Sequence, residues 1–221
     1  MNLPIRRYAK RIATILLALA AFVPFAIVPF AHADEVALMS GSQLVQELQR
    51  GGYVVLIRHP ATDPTQADTD PLHPENIAAQ RRLTDKGRAE ATAMGQAWRN
   101  LKIPVGSVAT SKFHRAVEAA QLAGFQHVEP SLDYTEGGLV VSTAENQRRA
   151  AALKKQLSTS PEPGRNNVIV SHRPNILDAI GKDAFDVSEG EALVVKPQDG
   201  SFKLVGRIKI DAWPELARTK T

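Results

Sequence analysis

Two histidines and two arginines stand out by where they fall. Arg58 and His59 follow the β-branched and aromatic run Tyr53 to Ile57. Ser171 and His172 follow a second run, Val168-Ile169-Val170. Arg115 lies in Ser111-Lys112-Phe113-His114-Arg115-Ala116, just beyond a third run from Val105 to Ala109. Short continuous apolar runs of this kind read as strands buried on both faces. In open α/β sheets, ligands collect beyond the carboxyl ends of the strands, so all three groups fall at one rim. The set suits phosphate. A guanidinium offers a planar fork of donors to phosphate oxygens and stays charged. One histidine can attack phosphorus and carry the phosphoryl group. A second, protonated, can stabilise the charge of the transition state.

The remaining histidines and paired arginines carry weaker signals. His73 and His127 read as solvated loop residues, and Arg81-Arg82 and Arg148-Arg149 as solvated faces. His114 either shapes the pocket or simply opens a helix. A metal site on His59 and His172 has no third ligand at suggestive spacing, so no metal is expected. The absence of cysteine rules out thiolate-ligated zinc and iron–sulfur sites.

The elements that must position these groups alternate along the chain, which predicts an α/β sandwich. Ser40 or Ser42 caps a helix with Leu44, Val45 and Leu48 on one face, ended by Gly51-Gly52. Tyr53 to Ile57 is the first strand. Residues 59 to 82 are polar and rich in Pro and Asp, a loop long enough to be functional. Thr84 caps a helix to about Leu101, a strand covers Val105 to Ala109, and a helix covers 112 to 123. A short strand falls near Val128. A helix capped near Ser142 runs to about Leu157, and the Pro-Glu-Pro-Gly stretch at 161 to 164 is a loop. The third strand leads to a short helix from Pro174 to Ile180. Glu191 to Lys196 and Phe202 to Ile210 read as a closing antiparallel pair, and the tail after Asp211 as exposed and mobile.

The first 33 residues read differently from the rest. Arg6, Arg7, Lys10 and Arg11 precede an apolar run from about Ile12 to Ala31, which ends in Ala31-His32-Ala33. This is the pattern of a secretory signal peptide over 1–33, with residues 34–221 forming one domain. An uncleaved anchor is the alternative, against which Pro24 and Pro29 interrupt the run. The expected location is periplasmic or secreted, with no stable membrane contact after cleavage. The formal net charge of +4 comes entirely from that segment, leaving 23 Lys and Arg against 23 Asp and Glu. A nucleic-acid partner is therefore not expected.

Taken in order, these motifs resemble the histidine phosphatase (phosphoglycerate mutase-like) superfamily, from about Tyr53 to Pro197. Arg58-His59 resembles its Arg-His-Gly signature, Ser111 to Ala116 its Ser-Pro-x-x-Arg-Ala element, and Ser171-His172 its late Gly-His element. Leu83-Thr84-Asp85-Lys86-Gly87 resembles its Leu-Thr-x-x-Gly helix opening. The best fit is to small exported phosphatases. The resemblance implies a three-layer α/β sandwich with a mostly parallel central sheet flanked by helices. It also implies a metal-independent phosphomonoester hydrolase without cofactor, acting on a small-molecule or macromolecular phosphomonoester. His59 would attack, while Arg58, Arg115 and His172 would bind the phosphoryl group. A non-catalytic phosphate-binding paralogue and a phosphoryl transferase such as a mutase are the alternatives.

The chain departs from the pattern at three places. Pro60 stands where the signature has Gly and removes one backbone donor. Lys112 replaces the usual Pro, and Ser171 the usual Gly. The proton donor is open as well, because the Leu-x-Glu pattern of many relatives has Tyr134 after Leu132. Glu191 and Asp63 rank first for that role, ahead of Glu189, Asp133 and Glu136. Neither the substrate nor the oligomeric state follows from the sequence.

Overall fold

A computed structural model of the protein describes residues 38–219; the signal-peptide reading of 1–33 lies outside the described residues. Among the described residues, six helices and six strands carry the fold. The helices are α1 (Gly41–Arg50), α2 (Asp85–Asn100), α3 (His114–Leu122), α4 (Thr143–Leu157), α5 (Arg173–Ile180) and α6 (Trp213–Arg218). The strands are β1 (Val54–Arg58), β2 (Val105–Ser111), β3 (Val128–Ser131), β4 (Asn166–Ser171), β5 (Ala192–Gln198) and β6 (Ser201–Ile208). They form one sheet in the order β3-β2-β4-β1-β5-β6. The first four strands in that order are parallel; β5 joins β1 antiparallel and β6 joins β5 antiparallel. The sheet is thus mixed but mostly parallel, flanked by helices, as the resemblance implies.

Period-two alternation assigns each strand residue to one face. Val55, Ile57, Val108, Val168 and Val170 pack with α1, α2, α3 and Trp213 of α6. Val54, Leu56, Ile169 and Leu193 pack with Leu153 and Leu157 of α4 and Ile176 of α5. Both faces are covered, which is why β1 and β4 read as unbroken apolar runs.

Local signals set the helix starts. Ser40, not Ser42, caps α1 in a capping box with Gln43. Thr84 caps α2, its hydroxyl accepting from the Gly87 N–H at 3.0 Å. The same residue holds the chain just after His59: the Thr84 N–H and hydroxyl both donate to the Ala61 carbonyl, at 3.0 and 3.2 Å. A Cβ on Gly87 would lie 2.3 Å from that carbonyl oxygen, so the glycine permits the close approach.

The expected mobile tail is corrected here. Trp213 is fully buried, with its ring 5.3 Å from Trp98 of α2, so α6 closes the core. The loop over 59–82 is present but not featureless: Thr62 bridges to Leu83, and Ile77–Ala79 forms a 3-10 turn. Among the described residues no helix is long and apolar enough to cross a membrane.

Candidate active site

His59 sits one residue beyond β1, where its N–H donates to the Ser171 carbonyl at 3.0 Å and so continues the β1–β4 pairing. Its ring Nδ1 is 2.8 Å from the Pro60 carbonyl oxygen. A carbonyl only accepts, so Nδ1 carries the proton and Nε2 keeps its lone pair. Pro60 has no N–H to offer, but its carbonyl sets the tautomer that a nucleophile needs. Burial pushes the His59 pKa down to about 3, and the Arg115 guanidinium pushes in the same direction. The ring is therefore neutral across the physiological range.

His172 follows β4 and is buried, its ring centroid 5.1 Å from that of His59. Nε2 lies 2.6 Å from the Ser111 hydroxyl at the end of β2, and Phe113 meets the ring edge-on. Burial lowers its pKa well below the ordinary value, with Arg115 adding to the effect. A bound dianion would offset the Arg115 charge and favour the imidazolium. Its Nδ1 has no hydrogen-bond partner among the described residues and lies 3.5 Å from Glu136 Oε1.

Arg115, on the first turn of α3, is 0% exposed. Nη1 donates to Asp68 Oδ1 at 2.9 Å, Nη2 to Glu136, and the guanidinium lies 4.5 Å from the centre of the Phe113 ring. Arg58 donates through Nη1 to the Val187 carbonyl at 2.9 Å and faces Glu189 at 3.5 Å. Burial lowers the Arg58 pKa, opposed by Glu189. The structure thus brings together four of the residues singled out in the sequence: Arg58, His59, Arg115 and His172.

It also adds groups that the sequence did not indicate. Arg81, expected on a solvated face, acts electrostatically on His59, His172 and Arg58. Asp68 accepts from the Arg81 N–H at 3.0 Å as well as from Arg115. Nothing in a polar loop's composition says which of its charges folds inward. The Nε atoms of Arg58, Arg81 and Arg115 are all buried without a partner among the described residues. The three Nε–H groups are donors of the kind that phosphate oxygens accept from.

The two acids ranked first for proton donation are corrected by the geometry. Both Glu191 oxygens are taken by Arg207, at 2.9 and 2.8 Å, and Oε2 also accepts from the Ser188 N–H. Glu191 is a structural anchor for the chain entering β5. Asp63 folds back on Thr65, accepting from its hydroxyl at 2.7 Å and its N–H at 2.9 Å, and these bonds hold its carboxyl below the usual range. Asp133 pairs outward with Arg148 at 2.7 Å, and Glu189 lies near Arg58 and Thr62. Glu136 is the carboxylate in contact with both Arg115 and His172.

Residues 54–137 match the family model of the histidine phosphatase superfamily (branch 1). This segment is similar to that family. It contains Arg58, His59, Arg115 and Glu136, while His172 lies beyond it. No curated protein sequence matches the chain. Among solved structures, the protein histidine phosphatase SixA complexed with tungstate is 20% identical with a TM-score of 0.50, covering 72% of this chain and 97% of that one. A phosphoserine phosphatase mutant from Entamoeba histolytica in complex with phosphoserine is 19% identical, with a TM-score of 0.51 and the same coverages, 72% and 97%. Phosphoglycerate mutase from Bacillus anthracis str. Sterne is 15% identical, with a TM-score of 0.51, covering 78% and 99%. At these identities the likeness shows a shared fold.

Proposed function

We propose that the protein is a phosphomonoester hydrolase that works through a phosphohistidine at His59. The observation that carries this reading is the Pro60 carbonyl on His59 Nδ1, which leaves the Nε2 lone pair free beside three guanidiniums. Nε2 attacks phosphorus as the ester P–O bond breaks, and the leaving oxygen takes a proton from Glu136. Arg58, Arg81, Arg115 and His172 stabilise the charge on the transferring group. Water then attacks the phosphohistidine, giving a proton to Glu136, and the P–N bond breaks to release phosphate and neutral His59.

Turnover of 4-nitrophenyl phosphate by residues 34–221, with and without chelator, tests the reading. Chelator-resistant release is expected, falling by on the order of a thousandfold in His59→Ala. Release that requires added metal would remove the histidine mechanism. A second reading, a phosphate-binding protein without turnover, is favoured by two departures from the family pattern: Pro60 stands in place of Gly, and Tyr134 in place of the Leu-x-Glu acid. Export to the periplasm or beyond remains part of the proposal and rests on the pattern of residues 1–33.

A further inference from the structure

We propose that Arg149 of α4 is a positioning residue for the acid Glu136, acting through the backbone of Thr135. The inference rests on the reading of Glu136 as proton donor. Arg149 is 7% exposed, and its Nη1 donates to the Thr135 carbonyl at 2.9 Å. Its Nε donates to Glu145 Oε1 at 2.8 Å, and the Arg148 and Arg149 hydrogen bonds hold the Glu145 pKa down at about 2. A guanidinium so paired makes a charge-assisted bond to the carbonyl, stronger than a neutral one.

Thr135 is fixed from other directions too. Its hydroxyl donates to the Ser131 carbonyl at 2.8 Å and accepts from the Lys112 N–H at 2.9 Å. One residue earlier, the Ser171 hydroxyl donates to the Tyr134 carbonyl at 2.7 Å. Two departures from the family pattern thereby acquire a use. A proline at 112 has no N–H for Thr135, and a glycine at 171 has no hydroxyl for Tyr134. On the other side of Glu136 the chain is also tied to α4: Gly137 is buried, and the Asn146 side chain donates to the Gly138 carbonyl at 2.9 Å. The Arg149 bond is the charge-assisted one of these ties and lies next to the acid in sequence.

General acid catalysis needs the carboxyl within hydrogen-bond reach of the leaving oxygen. An alkoxide needs that proton, whereas 4-nitrophenolate leaves without it. The test compares kcat/KM for glycerol phosphate and 4-nitrophenyl phosphate in Arg149→Met and in Glu136→Gln, with vanadate affinity measured alongside. Arg149→Met should lose about tenfold more on glycerol phosphate than on the aryl ester, with vanadate affinity unchanged. Equal loss on both substrates, or weakened vanadate binding, would overturn the positioning role. If Glu136→Gln loses equally on both, the acid assignment itself falls. Should Arg149→Met fail to fold, Glu145→Gln must show the same selective loss in smaller degree, and its absence counts against the proposal.

Discussion

Arg148 and Arg149 are identical in type and adjacent in sequence, yet they do different work. One helical step of about 100° turns Arg148 to solvent and Arg149 inward to Thr135. No residue-type signal separates them, which is why both read as a solvated face. Arg81 poses the same problem within a polar loop. Its buried Nε and its field on both histidines predict a direct part in anion binding. Arg81→Met should weaken vanadate binding about tenfold, the worth of one charge-assisted hydrogen bond. An unchanged vanadate affinity by calorimetry would place Arg81 outside the phosphate site. By contrast, Arg58, His59 and His172 were legible because each stands at the end of an apolar run.

Among the elements, β1 and β4 announced themselves through unbroken apolar runs, and β5 and β6 through the spacing of an antiparallel pair. α6 did not, because six residues give too short a pattern to reveal periodicity. Its Trp213 fills the space beside Trp98 and sits in the core face with α1 and α2. Trp213→Ala should cost about 3–5 kcal/mol in denaturant unfolding, since the cavity cannot close around a missing indole. Turnover per folded molecule should stay near the parent value, because Trp213 packs in the core away from the phosphate site. A loss below about 1 kcal/mol would mean that α6 is not part of the cooperative core.

For the whole molecule, two neutral imidazoles buried beside guanidiniums carry a pH cost. The His59 pKa is lowered from 6.5 to about 3 and that of His172 lies well below 6.5, while the unfolded chain titrates near 6.5. Between those limits the unfolded state binds more protons than the folded one, so stability rises with pH there. The contribution is full above about pH 6.5 and is lost progressively as pH falls toward 3, a change on the order of a few kcal/mol. Melting temperature should therefore drop between about pH 7 and about pH 4.5, and less steeply in His59→Asn. Equal slopes in the two proteins would show that His59 does not titrate on unfolding.

The most direct measurement is a rapid-quench reaction of the protein with a radiolabelled phosphomonoester, followed by mapping of the label. Acid-labile, base-stable phosphate on His59 is the expected result, absent from His59→Ala. Steady turnover with no label at position 59 would contradict the account, whatever the fold.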